Sequence, residues 1–193
     1  MKLKPAIFLD RDGTVNFDPG YIKNPDEVYL LEGVAEGIRK LKDGFGFKII
    51  VISNQAGVSK GLMTIEDVEQ INSKINELLK EKGTLIDAFY YCPFHPDNDP
   101  PEKSKCRKPS PQMIFKAAEE HSIDLSKSYM VGDRASDIEA GFNAKLKSVL
   151  LTNNNANDEI SILQNLEKNP NFVAVNFNQA CDFIINDYTG GNS

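Results

Sequence analysis

Short apolar runs alternate along the chain with longer stretches in which apolar residues recur every three or four positions. Residues 6–9, 48–52, 86–91, 128–131, 147–151 and 172–175 are of the first kind and predict strands. The second of them, KIIVI, is apolar without alternation, the mark of a parallel strand covered on both faces. Residues 34–41, 64–82, 111–120, 136–142 and 178–186 are of the second kind and predict helices. In the first of these Val34, Ile38 and Leu41 share a face. Thr64 opens the longest, Asp67 sits three positions on in a capping-box place, and Ile65, Val68, Ile71, Ile75, Leu78 and Leu79 supply its buried stripe. Strands alternating with helices imply right-handed crossovers. The expected fold is α/β, a doubly wound, mainly parallel, Rossmann-like sheet with helices on both faces.

Such sheets bind ligands beyond the carboxyl ends of their strands, so the residues that follow each strand carry the interest. They read DRDGT, SNQAG, CPFHP and GDRASD after the first four strands. Asp10 and Asp12 are two apart, so on extended backbone they point one way and Arg11 the other. With Asp133 and Asp137 beyond the fourth strand, several carboxylates converge on one crevice, which like-charge repulsion opposes unless a cation lies among them. Oxygen-only ligation suits Mg²⁺. Ser53 and Asn54 add neutral donors, Arg107 and Lys108 positive ones. A site with Mg²⁺ and a lysine attracts a dianion, most simply a phosphate. An ionised aspartate attacks phosphorus without an activating base, and a second carboxylate then serves the leaving oxygen and the hydrolytic water. The bend at Gly13 would let backbone approach the phosphate. Taken singly, each motif also reads as a turn, a helix cap or a solvated charge. Their joint placement at strand ends is what points to chemistry.

Composition narrows the class. The 193 residues are 40% hydrophobic and 26% charged, enough for a sizeable core, and a single domain over residues 1–188 with a frayed tail at 189–193 is expected. No apolar run approaches the roughly 20 residues of a membrane-spanning helix, and MKLKPAIFLD does not resemble a signal peptide. A cytoplasmic protein with no membrane partner is expected. A net charge of −6 without a basic arm argues against a nucleic-acid partner. The three cysteines imply no disulfide framework; they read as small hydrophobes or metal ligands.

DRDGTVN, SNQAG, CRKP and VGDRASD, in this order, resemble the four motifs of the haloacid dehalogenase superfamily of phosphohydrolases. Within it the chain is most similar to the heptose 1,7-bisphosphate 7-phosphatases, with the histidinol-phosphate phosphatases a neighbouring family. The likeness runs from about Pro5 to about Leu151 and includes DPGYI, YYCP and SYMVGD. It implies Asp10 as nucleophile and Asp12 as general acid and base, with Mg²⁺ held by Asp10, the Asp12 carbonyl and Asp133. It implies that Ser53 and Lys108 stabilise the transferring phosphoryl group, and that Asp18, Gly20, Tyr21, Asn54, Gln55, Arg107 and Arg134 contact substrate. Arg134 stands where the heptose enzymes often carry lysine. The span 15–32 leaves room for a flap rather than a cap domain, so a capless, monomeric enzyme acting on a small phosphosugar in nucleotide-activated heptose synthesis is expected. Histidinol phosphate and a polynucleotide 3′-phosphate remain alternative substrates. A phosphorylatable signalling domain is the alternative of another class, although a carboxylate two residues from the nucleophile favours turnover.

The resemblance also implies a structural Zn²⁺ held by a Cys-x-His and a Cys-x-Cys pair. Here the stretch reads CPFHPDNDPPEKSKCRKP, with Phe94 for the histidine and Ser104 for a cysteine. A closed tetrahedral site needs four ligands. His95 with Cys92, Cys106 and Asp97, Asp99 or water would be a rescued site. The expectation is instead no Zn²⁺, with Cys92 and Cys106 packed as small hydrophobes.

Overall fold

The computed structural model describes residues 3–152 and 156–190. Its centre is one sheet of six strands: β1 (Ala6–Leu9), β2 (Lys48–Asn54), β3 (Ala88–Cys92), β4 (Tyr129–Gly132), β5 (Lys147–Leu151) and β6 (Phe172–Ala174). All pairs are parallel and the order is β3-β2-β1-β4-β5-β6, the doubly wound arrangement. The connecting helices are α1 (Val34–Phe45), α2 (Ala56–Ser59), α3 (Ile65–Glu81), α4 (Pro101–Ser104), α5 (Gln112–His121), α6 (Ala135–Asn143), α7 (Ala156–Asn165) and α8 (Phe177–Tyr188).

Side chains alternate across the strands and build two cores. Ile7, Leu9, Ile49, Val51, Val131 and Val149 face α1, α3 and α8. Ala6, Phe8, Ile50, Ile52 and Met130 face α5 and α6, and Leu150 meets Ile138 and Leu163 of α6 and α7. Every residue of β1 is fully buried, as its unbroken apolar run requires. The Thr64–Asp67 capping box is formed: the Asp67 N–H donates to Thr64 Oγ1 at 3.1 Å and the Thr64 N–H to Asp67 Oδ2 at 2.7 Å.

Some elements differ from expectation. β3 begins at Ala88 because Asn76 of α3 takes both backbone groups of Ile86, donating to its O at 3.0 Å and accepting from its N at 2.8 Å. α7 was not expected, since four asparagines precede or enter it. The flap stays small: a bridge between Asn16 and Leu30 closes it, with a single 3₁₀ turn at Pro25–Glu27. Of the expected tail, residues 191–193 lie outside the described residues, while the Thr189 N–H still donates to Ile185 O at 3.0 Å. Most of the Asn-rich stretch, 153–155, likewise lies outside them.

The cysteine expectation is overturned. Cys92, at the end of β3, and Cys106 form a disulfide with Cα atoms 5.5 Å apart. The chain leaves the sheet at Cys92 and must come back over the same point to enter the site at Arg107, so the two cysteines that flank the loop meet. Cys181, buried in α8, is the odd residue that hid the pair in a simple count.

Candidate active site

β1 and β4 are the neighbours at which the strand order reverses, and the crevice beyond their carboxyl ends holds the carboxylates. Asp10 directly follows β1, is only 6% exposed, and its N–H donates to Val131 O of β4 at 3.0 Å. Oxygens of Asp10, Asp133 and Asp137 lie within 4.8 Å of one another. Lys108, also buried, reaches them from the loop after the disulfide. Its Nζ lies 2.6 Å from Asp10 Oδ1, 2.7 Å from Asp137 Oδ1 and 2.9 Å from Ile52 O.

Two glycines make the close packing possible. Gly13 has φ +80°, and a Cβ there would stand 2.5 Å from Asp133 Oδ2. A Cβ on Gly132 would run into the Asp137 carboxylate. Lys108 is aimed by Asn54, whose amide accepts from Lys108 N at 2.9 Å and donates to Lys108 O at 3.1 Å.

Asp12 departs from the expected alternation. The backbone turns after Asp10, and the Asp12 carboxylate folds onto its own neighbour, 3.0 Å from Arg11 Nη2. Asn16 and Gln55 donate to the same carboxylate at 3.1 and 2.9 Å, and Gln55 also donates to Ser53 Oγ at 2.7 Å. Asp12 is therefore not one of the three clustered carboxylates. It still lines the cavity.

The electrostatics follow from burial. Desolvation is the largest influence on Asp10; with repulsion from Asp137 and Asp133 it outweighs Lys108 and pushes the carboxyl up to about 8. Burial acts on Asp12 as well, but Arg11, Asn16 and Gln55 prevail and hold it below the ordinary carboxylate value. Burial opposes the charge on Lys108, yet Asp10 and Asp137 raise its affinity for the proton overall.

These groups form the floor and one side of a cavity of about 370 Å³. Asp10, Asp12, Asp18, Gly20, Tyr21, Ser53, Asn54, Gln55, Arg107, Lys108 and Arg134 all line it, while Asp133 belongs to the carboxylate cluster without lining it. At the entrance Arg134 lies 3.5 Å from Asp18, whose Oδ1 accepts from the Gly20 N–H at 2.9 Å. Sequence reading gave no role to Lys60, which donates to Tyr21 OH at 3.1 Å. It also placed His95 only as a zinc remnant, and His95 lines the cavity too. Asp137, seen in the sequence as one carboxylate among several, is the second partner of Lys108. Its place in the first turn of α6, directly after GDRAS, was the available signal.

Comparison with known proteins bears on this geometry. A family model described as HAD-hydrolase-like matches residues 105–180. The D-glycero-beta-D-manno-heptose-1,7-bisphosphate 7-phosphatase of Helicobacter pylori is 42% identical over 151 residues, covering 78% of this chain and 84% of the relative. The chain belongs to the heptose 1,7-bisphosphate 7-phosphatase family. It is thus a phosphatase of the haloacid dehalogenase type. A further member, from Chlorobaculum tepidum, is 38% identical over 189 residues, covering 93% of this chain and 94% of its own length. The solved D,D-heptose 1,7-bisphosphate phosphatase of B. bronchiseptica, complexed with magnesium and phosphate, superposes with TM-score 0.82 at 28% identity, over 95% of this chain and 99% of that one. Family membership therefore spans the whole sheet and every strand end that feeds the cavity. Among the described residues no helix is long and apolar enough to cross a membrane.

Proposed function

We propose that this phosphatase removes the 7-phosphate of D-glycero-D-manno-heptose 1,7-bisphosphate through an aspartyl-phosphate on Asp10. The observation that carries the reading is the buried Asp10–Lys108–Asp137 array beside Asp133, at the inner end of a cavity open to a small ligand. Asp10 Oδ attacks phosphorus, and the bond to the sugar oxygen breaks. Asp12, once protonated against the pull of Arg11, gives that proton to the departing oxygen and takes one back from the water that hydrolyses the intermediate. Ser53 and Lys108 donate to the phosphoryl oxygens. The chain is taken to act as a monomeric, cytoplasmic, single-domain enzyme on a small phosphosugar.

The donor set suits a hard cation: three carboxylates meet with one lysine among them, and among the described residues no histidine or cysteine joins the cluster. Asp10, Asp133 and the Asp12 carbonyl would hold Mg²⁺, with Asp137 kept as the partner of Lys108. When bound, Mg²⁺ would offset the charge of the carboxylates and of an incoming phosphate.

The outer wall favours a second phosphate over histidinol. Lys60, Arg107 and Arg134 line it, and among the described residues Asp18 is the one acid there beyond the inner carboxylates, already paired with Arg134. A bisphosphate gains from that wall, whereas the ammonium of histidinol phosphate is repelled by it. A phosphate-release comparison of heptose 1,7-bisphosphate, histidinol phosphate and a 3′-phosphorylated oligonucleotide tests the proposal. The bisphosphate should give the highest kcat/KM, and a higher value for either rival would overturn the substrate assignment.

A further inference from the structure

Asn72 is an amide within the otherwise apolar buried stripe of α3, among Val68, Ile71, Ile75 and Leu79, and it is 8% exposed. An amide in such a place is costly unless it is hydrogen-bonded. Its partner comes from 61 positions away: Arg11 Nη1 donates to Asn72 Oδ1 at 3.1 Å. Arg11 is itself 2% exposed, so its guanidinium is as deeply set as the core around it. Its opposite edge is turned on Asp12, with Nε 3.1 Å from Oδ1 and Nη2 3.0 Å from Oδ2.

A guanidinium is a rigid plane with donors in fixed directions. Fixing Nη1 from α3 therefore sets the plane in which Nε and Nη2 present themselves to Asp12. Arg11 and Asp12 both line the cavity, but the Asp12 side chain is 20% exposed against 2% for Arg11, so the carboxylate is the more open end of this chain of contacts. We infer that Asn72 is a positioning residue for Asp12, acting through Arg11, so that the second turn of α3 helps aim the group that protonates the leaving oxygen. The inference rests on the general-acid role of Asp12 proposed above.

That role has a signature that a purely structural contact lacks. An alkoxide such as a sugar oxygen needs a proton to leave, whereas p-nitrophenolate does not. The value of kcat/KM, which reports events through departure of the leaving group, should therefore separate the two substrate types. Asn72→Leu removes the acceptor at similar volume. It should lower kcat/KM for heptose 1,7-bisphosphate by about tenfold more than for p-nitrophenyl phosphate, a part of what a general acid contributes. Asn72→Asp, which keeps an acceptor oxygen in place, should restore the wild-type ratio. Should Asn72→Leu not fold, Asn72→Ser, whose hydroxyl is too short to reach Nη1, carries the same comparison. Equal losses on both substrates, in a variant that folds, would overturn the inference. Asp12→Asn is the control that keeps it distinct from its premise. If Asp12→Asn shows no bias against the sugar substrate, the general-acid reading has failed. If it shows the bias and the Asn72 variants do not, the positioning role alone has failed.

Discussion

Asp10, Asp133 and Asp137 crowd one point with Lys108 as the cation between two of them, so single substitutions there act on charge before they act on shape. Asp10→Asn is nearly isosteric but leaves no nucleophile. Activity should fall on the order of 10⁴-fold or more, the scale seen when a nucleophile is removed. Above about pH 8, where Asp10 is ionised, the same change takes away one of three mutually repelling carboxylates, so there the metal-free variant should melt above wild type. Phosphate release and thermal melting in chelator read the two effects together; activity within a few-fold of wild type would exclude an aspartyl-phosphate. Lys108→Met has the opposite sign. It strands Asp10 and Asp137 without a buried partner, at about 3–5 kcal/mol by analogy with broken buried ion pairs. Denaturant unfolding in chelator should show that loss, and Mg²⁺ should recover part of it. Loss of the same size with and without Mg²⁺ would mean that the cation and the lysine do not share the carboxylates.

At the scale of elements, the disulfide closes the loop between β3 and the Arg107–Lys108 pair, its cysteines standing 14 positions apart. A loop of that length corresponds to about 3 kcal/mol in the chain-entropy model. A dithiol reductant should therefore lower the melting temperature of wild type and leave Cys106→Ser, already lowered, unmoved. A wild type indifferent to reductant would show that the loop gains nothing from the bond. Much of this level was readable beforehand. The apolar run of β1, the stripe of α3 and its Thr64–Asp67 cap are local patterns, and they formed where their residues stood, except that Ile65, in the first turn of α3, is exposed rather than part of the buried stripe. What escaped prediction depends on contacts distant in sequence. β3 starts late because Asn76 occupies the backbone of Ile86. Cys92 meets Cys106 because the loop has to return to the site. Asp12 turns onto Arg11 because the chain leaves extended geometry after Asp10, where strand alternation no longer applies. The site residues were visible as motifs at strand ends, whereas Lys60 stands in no motif and reaches the cavity only through the packing of α2 beside Tyr21.

For the molecule as a whole, the site links folding, protons and metal. Asp10 is pushed up to about 8 from the ordinary carboxyl value of 3.8, by burial first and then by Asp137 and Asp133, against the pull of Lys108. Between those two values the folded, metal-free chain holds a proton that the unfolded chain has released. The folded state binds more protons there, so the slope of unfolding free energy with pH is negative. This contribution is fully present below the unfolded value and is lost as pH rises through the folded one. Metal-free protein should accordingly lose stability from about pH 4 to about pH 8 at this site, opposite to the usual behaviour of a paired carboxylate. Mg²⁺ competes with that same proton, so its affinity should climb across the window. Because a ligand of the folded state stabilises it by mass action, the rise in melting temperature at a fixed Mg²⁺ concentration should be larger near pH 8 than near pH 6. Asp10→Asn, which has no proton to displace, should flatten both dependences. Melting curves at several pH values, with chelator and with Mg²⁺, provide the measurement. A Mg²⁺-induced shift of equal size at both ends of the window would break the link between the Asp10 proton and the cation.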